Sequence, residues 1–128
     1  MRRLKVLRHI FRFHGLLGSL KIAAKGILYL LLYHRNMRII FMTGVAAFLL
    51  GILLNLNKLE LAVLCVTITL VFVAEIFNTA IELLIDMSVT KYHTLVKIIK
   101  DIAAAVVLIA SLNAIAVGYI LFFRRIIK

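Results

Sequence analysis

Three long apolar runs in a chain without a single proline leave few folds open. Residues Ile39 to Leu56 carry no charge; as a helix at about 1.5 Å per residue they reach roughly 27 Å, close to the hydrocarbon thickness of a bilayer. Leu61 to Ile85 is apolar through its first half and is then broken by Glu75, Asn78 and Glu82. Ile102 to Phe123 is interrupted only by Ser111 and Asn113. Composition closes the alternatives: 65% of the 128 residues are hydrophobic and the mean hydropathy is +1.13. A soluble domain this small cannot hide so much apolar surface from water, and a disordered chain is far more polar. An outer-membrane barrel alternates apolar with polar residues instead of gathering them in runs. The expected fold is therefore all-α, a single integral membrane domain over 1–128. Transmembrane helices are expected at 39–56, 61–85 and 102–123, with a tight polar turn at Asn55-Leu56-Asn57-Lys58 and a cytoplasmic loop over 86–101.

The first 38 residues differ in kind. Arg2, Arg3, Lys5, Arg8, Arg12, Lys21, Lys25, Arg35 and Arg38 occur there with no acidic residue among them. Leu20, Ile22, Ala23, Ile27 and Leu30 recur at helical spacing, so 1–38 reads as a basic amphipathic region lying on the membrane surface. Arg8, His9 and Arg12 break up any long apolar core, which disfavours a cleaved signal peptide; an organelle transit peptide has the same acid-free composition and stays open as an alternative. The formal net charge of +11 would suggest nucleic acid on a soluble chain. Here it fits anionic headgroups, and no nucleic-acid motif accompanies it. The positive-inside rule puts the N-terminus and the 86–101 loop in the cytoplasm of a multi-pass protein of the cell inner (cytoplasmic) membrane. It then leaves Arg124, Arg125 and Lys128 on the outer side, against the same rule. The lone cysteine, Cys65, excludes an internal disulfide, and its apolar surroundings suggest an inert buried thiol.

Four of the five acidic residues, Glu75, Glu82, Asp86 and Asp101, lie within 75–101. The fifth, Glu60, falls at the other end of the second run and reads as a rim residue. At about 100° per residue, Glu75, Asn78, Glu82 and Asp86 share a sector of roughly 80° on one helix. Carboxylates at membrane depth need a partner, a metal or a function. Pairing with Lys or Arg of neighbouring helices is the structural alternative. The functional one draws on Tyr92, His93, Lys97, Lys100 and Asp101, which bring donors and an aromatic ring to the same membrane edge. Carboxylates hold Mg²⁺ together with phosphate oxygens, and lysine grips phosphate as a point charge. These are parts for phosphoryl transfer, although neither a Walker loop nor a protein-kinase glycine loop is present.

The pattern Glu75-x-x-Asn78-x-Ala80-Ile81-Glu82-x-x-x-Asp86, followed by Tyr92-His93 and Lys100-Asp101-x-Ala-Ala-x-Val107, resembles the prokaryotic diacylglycerol kinase and undecaprenol kinase family. Lys25-Gly26, Arg35-Asn36-x-Arg38 and Leu59-Glu60 extend the resemblance more thinly. It implies a homotrimer of three-span subunits with an N-terminal surface helix, which uses ATP and Mg²⁺ to phosphorylate a lipid alcohol at the cytoplasmic face. By position it implies that Glu75 is the general base and Asn78 the amide that orients it. Glu82 would bind the metal that accompanies ATP. Tyr92, His93, Lys100 and Asp101 would contact the nucleotide, and Asn36, Arg38 and Glu75 the lipid. The Arg-Asn-x-Arg run and the absence of tryptophan are closer to the undecaprenol kinase branch than to the diacylglycerol branch.

One position departs from the family. A glutamate usually precedes the Arg-Asn pair and shares the metal, and here His34 stands in its place. Imidazole is a poor ligand for Mg²⁺ and a better one for softer ions. Three explanations stay open: His34 ligates Mn²⁺ or another divalent cation, Asp86 turns inward one helical turn from Glu82, or the enzyme is slow. A catalytically weakened or non-enzymatic small membrane protein is thus the competing class. A channel is a third, but polar residues occupy only one end of the runs.

Overall fold

A computed structural model describes residues 15–88 and 94–127, the side chain of Arg124 excepted. Its elements are four helices, α1 (Leu16–Tyr33), α2 (Arg35–Leu53), α3 (Lys58–Ser88) and α4 (Thr94–Ile126), with no strand among the described residues. They fall into two compact units, Met1–His34 and Arg35–Lys128.

In the first unit α1 starts after Gly15 without a side-chain cap and ends where His34 turns extended (φ −110°, ψ 113°). The His34 N–H still donates to Leu30 O at 2.9 Å. Only Lys21 and Lys25 are charged within α1, and none of its residues is buried. By length and composition it joins α2, α3 and α4 as a helix able to cross a membrane. Four helices thus qualify where the sequence reading counted three, because the basic residues that make 1–38 look interfacial cluster mostly outside Leu16–Tyr33.

The second unit is built on α3, which packs against both α2 and α4. Small side chains permit the close approach. Thr67 and Ala74 lie seven residues apart on α3, Ala103 and Ala110 seven apart on α4, and all four are buried; such spacing keeps one seam facing the neighbour. Gly44 brings α2 onto α3, since a Cβ there would sit 2.8 Å from Ile68 Cγ2. The outward faces are apolar: Val66, Phe77, Ile109, Ile115 and Tyr119 are exposed. Cys65 is exposed too, which corrects the expectation of a buried thiol. It is turned about 100° from Leu64, off the narrow face of α3 that meets its neighbours.

The α2–α3 connection is a compact double cap. Asn55 takes a left-handed conformation (φ 53°), while Leu56 N–H donates to Gly51 O and Asn55 N–H to Ile52 O, each at 3.0 Å. This is a Schellman ending, in which asparagine tolerates the left-handed position. Leu56 folds back over Gly51, where a Cβ would stand 2.9 Å from Leu56 Cδ1 and 3.0 Å from Leu64 Cδ2. Asn57 and Glu60 then form a reciprocal capping box: Glu60 N–H donates to Asn57 Oδ1 at 2.9 Å, and Asn57 N–H to Glu60 Oε2 at 2.8 Å. From α4, the Arg125 guanidinium donates to Leu54 O at 2.7 Å, to Asn55 O, and to Glu60 Oε2 at 2.7 Å. Arg125 therefore closes carbonyls that the end of α2 leaves open. Glu60, read as a rim residue, is a structural one.

The expected loop over 86–101 is shorter than its polarity suggested. α3 continues to Ser88 and α4 begins at Thr94, so Lys97, Lys100 and Asp101 ride on the first turns of a helix. Neither glycine nor proline occurs between Asp86 and Asp101. The lysines are good helix formers, so polarity there marks departure from an apolar environment and not the end of a helix.

Arg125→Ala is expected to destabilise the unit by about 1–3 kcal/mol, because Glu60 and two carbonyls lose their donor together. Arg125→Lys should recover only part of that, one ammonium being unable to fork as a guanidinium does. Thermal unfolding in detergent, followed by circular dichroism, reads both; equal stability of wild type and Arg125→Ala would show that the cluster contributes nothing.

Candidate functional site

One face of α3 carries Glu75, Asn78, Glu82 and Asp86, each three or four residues from the last. Exposure rises along it: Glu75 is 4% exposed, Asn78 and Glu82 are half-buried, and Asp86 is exposed. Ala74 and Thr79, both buried, flank Glu75 on the seam. The same small residues that draw the helices together therefore leave Glu75 little exposed.

No hydrogen bond or ion pair engages Glu75 among the described residues. A carboxylate taken out of water without a partner is costly, so this residue works against the fold. One turn on, Asn78 Nδ2 donates to Glu82 Oε1 at a long 3.3 Å. A carboxylate only accepts, which fixes the amide orientation. Asn78 Oδ1 is then left buried with no donor, an exception to the usual pairing of buried polar atoms.

The outer end is different. Lys100 Nζ donates to Asp86 Oδ1 at 2.6 Å, tying the end of α3 to the start of α4. Both groups are largely in the open, Lys100 38% and Asp86 64% exposed by side chain, so the pair adds little to stability. Its importance is positional: Lys100 is held against the acidic face, with Glu82 also within electrostatic reach. The alternative of carboxylates capped by basic neighbours thus fits Asp86 alone. Asp86 itself faces Lys100 and is exposed, so the structure does not turn it inward to complete a metal site.

The remaining candidates are placed as follows. Asp101 and Lys97 are exposed on the first turns of α4. Asn36 and Arg38 are exposed on the first turn of α2, beside Met37, which is fully buried. His34 closes the first unit, its ring 5.9 Å from that of Tyr29. Tyr92 and His93 lie outside the described residues. Among the described residues no group of three or more His, Cys, Asp or Glu side chains gathers into a metal-binding cluster. The Asp86–Lys100 pair and the Arg125 clamp were not foreseen. The first joins residues that each stood out in the sequence, but their pairing depends on a crossing that spacing does not encode.

Long apolar helices, a buried carboxylate and an orphaned amide oxygen define a helical membrane protein with a polar site at one end of its three-helix unit. The chain belongs to the prokaryotic diacylglycerol kinase family, whose sequence profile matches residues 21–122. It is 43% identical over 105 residues to a protein named diacylglycerol kinase from Synechocystis, a match covering 81% of this chain and 60% of that relative. It is 29% identical over 92 residues to the undecaprenol kinase of Bacillus subtilis, covering 72% of this chain and 75% of that one. The chain thus spans less than two thirds of the Synechocystis protein's length.

Because Glu75 is buried without a partner, Glu75→Met should raise the thermal midpoint in detergent, by the equivalent of about 1–3 kcal/mol. A lower midpoint than wild type would reveal a stabilising partner for the carboxylate.

Proposed function

We propose that the protein is an ATP-dependent lipid kinase, transferring the γ-phosphoryl group to a membrane lipid alcohol, undecaprenol or diacylglycerol. The observation that carries this reading is Glu75, buried and unpaired one turn from the orphaned Asn78 oxygen. A site with two unmet acceptors has room for a donor, and an alcohol O–H is one. Family membership and the two kinase-named relatives favour the same chemistry.

Helix length suggests where this happens. The 31 residues of α3 extend about 46 Å, against roughly 30 Å of hydrocarbon crossed by about 20 residues. Counted from the Glu60 end, the boundary falls near Asn78. Glu75 is then just inside the apolar layer, where a lipid hydroxyl arrives, and Glu82 and Asp86 stand among headgroups, where a nucleotide arrives.

The lipid O–H donates to Glu75, and Asn78, one turn further along the same face, is the amide that helps orient it. As the alcohol oxygen bonds to Pγ its proton passes to the Glu75 carboxylate, and the bond from Pγ to the bridging oxygen breaks. ADP leaves with that electron pair, and Glu75 later loses the proton to water. Lys100, free to exchange Asp86 for phosphate, offsets charge on the transferring group. Mg²⁺ is commonly held by one or two carboxylates plus phosphate oxygens, so Glu82 fits as its protein ligand without a larger cluster. Bound there, the ion would supply charge neutralisation. Tyr92, His93 and Asp101 complete the nucleotide contacts, and Asn36 and Arg38 face the lipid headgroup.

The N-terminus and the α3–α4 connection lie in the cytoplasm, α1 rests on that surface of the inner membrane, and three copies assemble. The outward apolar faces, and the thinness of three helices for enclosing a nucleotide, support the trimer. A second reading, a weakened or non-enzymatic relative, rests on His34 in the place where the family usually carries glutamate.

Glu75→Gln should lower kcat by about 10²- to 10⁴-fold with nucleotide binding unchanged, measured by labelled-ATP transfer and equilibrium binding; wild-type turnover would remove Glu75 from the mechanism. His34→Glu should raise activity with Mg²⁺ relative to Mn²⁺ in the same assay. Unchanged or lower activity would mean that position 34 does not limit the metal.

A further inference from the structure

Among the described residues two ion pairs tie α3 to α4, and they are built differently. Arg125 spreads its guanidinium over Glu60 and the carbonyls of Leu54 and Asn55, so losing any one partner leaves the others in place. Lys100 makes a single hydrogen bond among the described residues, from Nζ to Asp86 Oδ1 at 2.6 Å. An ammonium carries three N–H donors, so two remain for water or for another anion. The first pair is locked and the second is labile.

Exposure and position agree with that difference. The Asp86 side chain is 64% exposed, against 29% for Glu60, so water replaces a departing ammonium readily at Asp86. Glu82 stands one turn back along α3, about 6 Å from Asp86 along the axis, and already acts on Lys100 electrostatically. The flexible stem of a lysine lets its ammonium move over such a distance while the backbone stays still. Lys100 can therefore leave Asp86 and remain beside the carboxylate that fits the metal.

We infer that Asp86 is a placeholder for the nucleotide's phosphates, holding the Lys100 ammonium at the acidic face until a polyphosphate displaces it. The inference rests on the kinase reading and adds what limits the affinity for nucleotide. Two anions compete for one cation, so a nucleotide that binds through Lys100 first breaks the pair. The strength of the pair is subtracted from binding, and the pair re-forms as the product leaves. For a pair this exposed the opposition amounts to about two- to fivefold in affinity. A carboxylate that held the metal or the nucleotide itself would strengthen binding, so the two roles of Asp86 predict opposite signs.

A double-mutant cycle on the full-length protein in lipid nanodiscs tests this. Equilibrium binding of a non-hydrolysable ATP analogue with Mg²⁺ is compared for wild type, Asp86→Asn, Lys100→Met and the double variant. Asp86→Asn should tighten binding about two- to fivefold, and Asp86→Glu, which can still pair, should return it toward wild type. In the Lys100→Met background Asp86→Asn should change nothing, because no cation is left to release. Weaker binding by Asp86→Asn would make Asp86 a ligand in its own right. An equal gain in the Lys100→Met background would reduce its effect to repulsion of any polyanion. An unchanged affinity in Asp86→Asn would show that the pair does not oppose binding; each of these three outcomes overturns the inference. The cycle is repeated with inorganic triphosphate, and labelled-ATP transfer to a lipid alcohol is measured alongside. The expected coupling with triphosphate in a protein that transfers no phosphate would keep the placeholder and remove the kinase reading. Transfer without coupling would do the reverse, and binding of neither probe would overturn both.

Discussion

The second unit depends on how closely its three helices can approach while enclosing a carboxylate. Thr67 and Ala74 on α3 and Ala103 and Ala110 on α4 make the seam narrow, and that narrowness leaves Glu75 4% exposed. Between lipid-facing helices there is little hydrophobic drive to associate, because the surrounding tails are as apolar as the side chains. Small-residue contact and a few polar ties must hold the helices together. An unpaired acid on that seam opposes both, and a sequence that keeps it gives up stability for something else.

The basic end of α4 illustrates the same limits from the other side. Arg124 and Arg125 beyond the third apolar run set the positive-inside rule against the larger N-terminal excess. Arg125 is not a loose charge: Glu60 and the carbonyls of Leu54 and Asn55 hold it. Its positive charge is spent on the α2–α3 turn and contributes less to any preference for one membrane face than a free arginine would. The charge count treats it as one more free cation, and its hydrogen bonds show that it is not.

Much of the helical plan was legible because hydropathy runs of this length admit few alternatives. The helix boundaries were less so. Apolar runs report where a helix meets lipid, whereas α3 and α4 continue past them through Asp86–Ser88 and Thr94–Asp101, where no glycine or proline intervenes. The acidic face was readable from spacing alone, since the 100° step fixes which residues share a side. Its grading from buried Glu75 to exposed Asp86 was not, because burial depends on neighbours from other helices. The pairing of Asp86 with Lys100 and of Glu60 with Arg125 was hidden for the same reason: each joins residues far apart in sequence that only the crossing of α3 and α4 brings together. The capping box is written in Asn57-x-x-Glu60, where the turn that joins two apolar runs is also the start of α3. Cys65 shows that an apolar neighbourhood in sequence does not imply burial in space.

The two ends of the α3–α4 pair separate structural from functional polarity. At the Glu60 end, one carboxylate, one guanidinium, an asparagine cap and two carbonyls satisfy one another almost completely. Such a cluster is closed, and nothing is gained by bringing it a ligand. At the Glu75 end the groups are as numerous but leave a carboxylate without a partner, an amide oxygen without a donor, and a long amide–carboxylate contact. Only the outermost acid, Asp86, has a cation. Both clusters sit on the same helix, and Glu60, more exposed than Glu75, is the one with partners, so the lack of water around Glu75 does not explain the difference. It comes from which bonds the sequence completes, and the incomplete end is the one that a donor and a cation from outside the chain would complete.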